Sequence, residues 1–264
     1  MNIIDFHTHI YPEKIAKKAV ENVGHFYQLE MHGNGTPENL IRMGSEVGIS
    51  LYVVHSPALT SKNVPTINRF IADSCKKYPQ FIGFGTLHAD SENLKADIDE
   101  ILSLGLKGIK IHPDSQRFCL DDEKMMPAYN ILQEARLPVL FHTGDYRYDY
   151  SHPRRLVYLM QKCPNLVCIA AHFGGWSVFD LALEYLKDTS CYLDISSSMS
   201  FLGAKRSREL IELYTPDRML FGSDFPMWNP KEEYQKFMNL GFSEKDNEKI
   251  LYRNAERILN ISLS

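Results

Sequence analysis

Cysteine is scarce in this chain. Cys75, Cys119, Cys163, Cys168 and Cys191 are odd in number, widely spread and form no Cys-x-x-Cys pair. That excludes a disulfide framework and is the pattern of reduced, mostly buried thiols in a cytosolic protein. No apolar run approaches the length of a bilayer span, so no membrane partner is expected. The start lacks a basic region followed by an apolar stretch and a cleavage site, so no signal peptide is expected and the expected location is cytoplasmic. No charge dominates: the net charge is −4 and the basic residues are scattered, which argues against nucleic acid as a partner. Linkers and low-complexity tracts are absent too. The expectation is one domain over residues 1–264, long enough for a large core and ordinary in its 44% hydrophobic and 23% charged content.

What is present is an alternation. Short apolar segments occupy 2–6, 50–54, 81–86, 108–111, 139–141, 166–171, 192–195 and 219–221. After a longer first gap they start about 25–35 residues apart, the length of a βα unit. Between them, 68–77, 91–104, 123–136, 153–162, 178–186 and 205–213 carry apolar residues at three- and four-residue spacing, as do 231–240 and 246–259 near the end. Thr36-Pro37 and Ser91 read as helix starts; Gly105, Pro138 and Pro164 read as stops. Eight strands alternating with about eight helices predict a (β/α)8 TIM barrel, with a doubly wound open sheet as the rival. The stretch 25–34 reads as a long loop, either a lid or a mobile surface connection.

Polar residues follow nearly every apolar segment. His7 and His9 end the first, His55 the second, and Thr86 and His88 the third. The fourth carries Lys110 and His112, and the fifth His142. The sixth leads to His172, the seventh contains Asp194, and Asp224 follows the eighth. In a barrel these positions converge at the C-terminal face, where active sites are built. His7 and His9 alternate along a strand and so share one face. Three imidazoles and a carboxylate suit Zn²⁺ or a similar divalent ion, with a position left for a water whose pKa the metal lowers. Asp224 is suited both to touch the metal and to take a proton from that water. His172 either holds the substrate oxygen or the water, or is itself a ligand. Asp5 either orients the pair or forms part of the barrel floor.

The motifs Asp-Phe-His-Thr-His at 5–9, Gly-Ile-Lys-Ile-His-Pro at 108–113, Phe-His-Thr-Gly at 141–144, Ala-His-Phe-Gly-Gly at 171–175 and Phe-Gly-Ser-Asp-Phe-Pro at 221–226 occur in that order. In this the chain resembles the amidohydrolase superfamily, in its branch of metal-dependent hydrolases and non-oxidative decarboxylases. Residues 252–258 are similar to the family's terminal helix. The resemblance implies His7, His9, His142 and Asp224 as metal ligands, with His172 beside the metal and Asp224 and His172 catalytic. It implies one divalent ion, Zn²⁺ ahead of Mn²⁺, Fe²⁺ or Co²⁺. Some superfamily members bridge two metals with a carbamylated lysine. Lys110 is read instead as a buried lysine paired with an acid, and no second metal is expected.

The expected partner is a small-molecule substrate, with a homodimer as a reasonable assembly. His112, Arg117, Arg147 and Trp176 are the candidate substrate contacts, the arginines because their forks suit carboxylates. Trp228 is a further candidate wall of the pocket. His55 and His88 read as core or rim histidines, His152 as a helix start before Pro153, and His25 and His32 as loop residues. The leading reading is a hydrolase in which activated water attacks an amide, ester or lactone carbonyl. The alternative is a decarboxylase or hydratase acting on a small aromatic or unsaturated acid.

Overall fold

The computed structural model describes residues 1–263. Eight strands run β1 (Ile4–His9), β2 (Leu51–His55), β3 (Phe81–Thr86), β4 (Gly108–Ile111), β5 (Val139–Phe141), β6 (Cys168–Ala170), β7 (Tyr192–Asp194) and β8 (Met219–Leu220). Their order in the sheet is the order of the sequence, β1 to β8, with helices between them. This is the (β/α)8 class that the alternation predicts. Twelve α-helices are present among the described residues: α1 (Glu13–Tyr27), α2 (Pro37–Ser45), α3 (Val64–Lys77), α4 (Leu94–Ser103), α5 (Pro113–Gln116), α6 (Met126–Glu134), α7 (Pro153–Lys162), α8 (Phe179–Leu186), α9 (Met199–Tyr214), α10 (Pro230–Met238), α11 (Glu244–Glu248) and α12 (Asn254–Leu259).

Contacts group the chain into two units. The first comprises Met1–Ser56, Ser74–Ile82 and, of the described residues, 195–263. In it β1 pairs in parallel with β2, with a register shift between Asp5 and Thr8. On its other side β1 is laced to the segment after β8: the Phe6 amide donates to Phe221 O at 2.9 Å, Asp224 N to His7 O at 2.8 Å, and His9 N to Phe225 O at 2.7 Å. Phe6, Val53 and Phe221 are fully buried in the core of this unit, each contributing about 1.5–3 kcal/mol by leaving water. The C-terminal turn is tied to β8 by the Asn254 side-chain amide, which donates to Pro216 O and Met219 O, both at 2.8 Å.

The second unit comprises Pro57–Asp73 and Gly83–Asp194. Within it β3, β4, β5, β6 and β7 pair in parallel, each with the next. Buried Gln116 cross-links its loops, donating to Ala58 O and Leu87 O at 2.8 Å and accepting from the His112 amide at 2.8 Å.

Local signals are confirmed in two places and corrected in two. The Thr36 hydroxyl caps α2 by accepting from Asn39 N, and the His152 ring caps α7 by accepting from Arg154 N. The cap of α4 is Asn93, not Ser91. The expected loop 25–34 is shorter at its start, because α1 extends through His25 to Tyr27 and closes on Gln28 in the left-handed region. The rest of that stretch is pinned: His32 N and Gly33 N both donate to Pro226 O, at 3.0 and 2.9 Å.

Candidate metal centre and acid–base cluster

In the first unit, His7 and His9 leave β1 on one face, and their Nε2 atoms lie 3.3 Å apart. Asp224 Oδ1 stands 3.4 Å from each of them. These separations exceed the ordinary hydrogen-bond range. They match the edge of a tetrahedral shell, in which donors about 2.1 Å from an ion stand about 3.4 Å from one another. Two imidazole nitrogens and one carboxylate oxygen therefore fit a divalent ion in both spacing and donor chemistry. Ser196 Oγ lies 3.2 Å from His7 Nδ1 and fixes that ring from behind, the usual support of a ligating imidazole. His55 is fully buried and packs edge-on against both rings, with centroids 5.0 Å from His7 and 4.5 Å from His9. It belongs to this cluster.

The local backbone is built for the approach. Asp5 Oδ1 accepts from Ser223 N at 2.9 Å and from His7 N at 3.3 Å. Asp5 thus holds the two ligand-bearing segments by their backbones. A Cβ on Gly222 would lie 2.9 Å from His7 Cβ, so only glycine lets β1 come this close. Asp224 sits at φ 60°. This left-handed conformation costs roughly 1–3 kcal/mol, is best tolerated by Asn and Asp among residues with side chains, and collects at functional sites.

In the second unit, His142 is surrounded by acid–base groups. Its Nδ1 lies 3.2 Å from His172 Nε2, and its Nε2 is 3.5 Å from Asp114 Oδ2. His112 stacks on its face at 3.9 Å, with the planes 7° apart. His112 also caps α5, its Nδ1 accepting from Ser115 N at 3.3 Å. The His172 amide donates to Asp194 Oδ1 at 3.0 Å. His172 and Phe173 are both left-handed, at φ 60° and 53°. Asp114 accepts from the Ser151 hydroxyl at 2.5 Å. Burial, aided by the Asp145 charge, pushes its carboxyl up to about 6 against the donation from Ser151.

The structure thus brings His7, His9 and Asp224 together. His142, His172 and His112 form a second group. Arg147 spends its fork on buried Asp145, with Nε–Oδ1 at 2.9 Å and a terminal nitrogen to Oδ2 at 2.6 Å. Its guanidinium lies 5.8 Å from the ring of buried Trp176. Arg117 is exposed and left-handed at the end of α5. Lys110 is wholly buried in β4. Sequence reasoning missed Asp114 and Ser196. Each lies just past the C-terminal end of a strand, β4 for Asp114 and β7 for Ser196, where a barrel gathers its functional residues.

The sequence model of the Amidohydrolase family matches residues 4–261. No curated protein sequence matches the chain. Among solved structures, an uncharacterised TIM-barrel protein from Bordetella bronchiseptica superposes with a TM-score of 0.79 at 22% identity, covering 98% of this chain and 99% of that one. A dihydroxybenzoic acid decarboxylase from Polaromonas sp., solved with manganese and the inhibitor 2-nitroresorcinol, gives 0.76 at 18% identity over 100% and 98% of the two chains. A candidate 2-pyrone-4,6-dicarboxylic acid hydrolase from Pseudomonas putida gives 0.71 at 19% identity over 99% and 98%. At these identities the likeness is one of fold.

Proposed function

The chain belongs to the amidohydrolase family, and on that premise we propose that it is a metal-dependent hydrolase that opens an amide, ester or lactone of a small-molecule substrate. The carrying observation is the triangle of His7 Nε2, His9 Nε2 and Asp224 Oδ1, with edges of 3.3, 3.4 and 3.4 Å. His7, His9 and Asp224 would hold the ion, and the family's pattern adds His142. A divalent ion bound by such donors lowers the pKa of water toward 7 and polarises a substrate oxygen. Asp224 takes the proton of the attacking water and returns it to the leaving group. Ser196 holds the His7 ring, and Asp5 keeps β1 and the 222–224 turn in register. His172 is the second acid–base group of this proposal, its amide fixed by Asp194 and its ring by His142. Zn²⁺ is the favoured ion, with Mn²⁺, Fe²⁺ and Co²⁺ as alternatives that suit the same donors.

A second reading, non-oxidative decarboxylation, is favoured by the likeness to the manganese-bound Polaromonas decarboxylase. The same donors would then serve proton delivery to carbon by Asp224 or His172. One experiment separates the two. Zn²⁺- or Mn²⁺-loaded protein is incubated in ¹⁸O-water with a lactone and amide panel and with dihydroxybenzoates. Water-derived ¹⁸O in a new carboxylate is the expected result, and chelation should abolish it. Release of carbon dioxide without ¹⁸O in the organic product would replace hydrolysis with the second reading. Inertness toward both panels, in protein that retains its ion, would remove both.

A further inference from the structure

The triangle of His7, His9 and Asp224 draws two imidazoles from β1 and none from β2, the strand paired with it. His55 ends β2. By its sequence position it reads as a core or rim histidine. Its surroundings are more specific than that. In the parallel register His55 lies directly across from His9. Paired residues of neighbouring strands face the same side of a sheet, so His55 leaves β2 on the side where His9 leaves β1. The backbone is clamped around this pair. Ile10 N donates to His55 O at 3.2 Å, and the Ser56 hydroxyl donates to Ile10 O at 2.5 Å. Further back, the Thr8 hydroxyl donates to Val53 O at 2.8 Å.

The three rings meet as ligands of one ion do. An imidazole bound through one nitrogen at about 2.1 Å sets its ring centre about 3.2 Å from the ion, so two such rings on a tetrahedral ion stand about 5 Å apart, centre to centre. The centres here are 5.3 Å apart for His7 and His9, 5.0 Å for His7 and His55, and 4.5 Å for His9 and His55. The planes are inclined by 43°, 66° and 89°, so no two of them stack. One ring nitrogen from each of the three lies within 4.8 Å of the other two. Against the edge of about 3.4 Å in a filled tetrahedral shell, ligation asks for an edge to His55 shorter by at most about 1.4 Å. His7 and His55 are both wholly buried, out of reach of bulk water.

We propose that His55 is a further imidazole ligand of the ion held by His7, His9 and Asp224. This rests on the metal centre of the proposed function and gives β2 a part in it. The first unit then offers three imidazoles and a carboxylate of its own, a donor set that suits Zn²⁺ and the other divalent ions named above. The competing account is a ring that packs edge-on and steadies its two neighbours. The two accounts differ in one measurable respect, a bond from a His55 nitrogen to the ion.

The test reads that bond in the wild-type protein. The probe is ¹¹³Cd²⁺, loaded into metal-free protein that carries ¹⁵N-histidine, and the ring nitrogens are observed by NMR. A nitrogen bonded to the ion is split by one-bond coupling to ¹¹³Cd, and a ring packed beside the ion is not. The signals of His7, His9 and His55 are assigned by their loss in single variants. Splitting at all three rings is the expected result. Splitting at His7 and His9 with an unsplit His55 overturns the proposal. A second measurement uses His55→Phe, which keeps a flat ring and removes both nitrogens. Calorimetric Zn²⁺ affinity should fall by more than about 100-fold, beyond the roughly 10–100-fold cost of losing an indirect support. A smaller loss, in a variant with the wild-type circular dichroism spectrum, also overturns the proposal. The coupling needs no folded His55 variant loaded with metal, so it decides the matter even where Phe disturbs the fold. Failure of the underlying centre looks different: neither His7 nor His9 is split, and His55 falls with them. Splitting at all three rings in protein that opens no lactone or amide removes the hydrolase reading and leaves His55 a ligand.

Discussion

Asp224 meets His7 twice: its amide donates to the His7 carbonyl at 2.8 Å, and its carboxylate oxygen stands 3.4 Å from the Nε2 of the same residue. The backbone bond fixes where the carboxylate begins, and the left-handed φ of 60° turns it toward the imidazoles. Two residues more than two hundred positions apart in sequence thus share one rigid frame.

Asp224→Asn should leave the fold intact, because Asn tolerates the left-handed backbone as well as Asp does. It cannot accept a proton and is a poor ligand. Turnover should fall by about 10²–10⁴-fold, with an unchanged circular dichroism spectrum and melting temperature. Undiminished turnover would remove Asp224 from the mechanism.

Gly222→Ala should act through His7. The added methyl would stand 2.9 Å from His7 Cβ and 3.3 Å from Ser196 Cβ. Neither atom is the far end of a flexible chain, so His7 or the 222–224 turn must shift. Zn²⁺ affinity should drop about 10–100-fold, the range seen when the support of a ligand is disturbed. Calorimetric titration of metal-free protein reads this directly.

Asp114 predicts a pH dependence of stability. Its folded pKa is raised to about 6, chiefly by burial. The unfolded chain therefore releases this proton first as pH rises. From about pH 4 to 6 the unfolded state binds fewer protons than the native state, so stability falls across that window and levels off above it. Asp114→Asn, which still offers an oxygen to Ser151, removes the penalty. Relative to wild type, the variant should gain about 2–3 kcal/mol between pH 4 and pH 6 in urea titrations of chelator-treated protein. A difference that does not change with pH would mean that Asp114 ionises normally.

The cysteines should be slow to react. None of the five is in a disulfide; burial pushes Cys75 up to about 12 and Cys168 well above the ordinary range. The thiolate is the nucleophile, so iodoacetamide at pH 8 should leave both unlabelled in native protein and alkylate all five after denaturation, as read by mass spectrometry. Rapid native labelling of Cys75 would show its surroundings to be more open than described.

The sequence by itself determined the (β/α)8 alternation, because strand and helix periods are local properties of side-chain order. It also determined the pairing of His7 with His9, since residues two apart on a strand must share a face. The Thr36 and His152 caps are local in the same sense. Tertiary structure alone decided what stands opposite those groups. Asp224 reaches His7 and His9 because β1 is laced to the 221–225 segment, a contact with no footprint in local periodicity. Asp114 reaches His142 through the packing of the β4 and β5 loops. The turn from exposed loop to pinned strap at 28–35 depends on the Pro226 carbonyl, which no nearby residue foretells. Periodicity reports which way a side chain faces along its own element; which partner it meets is set by long-range packing, where distant segments satisfy their backbone groups against one another.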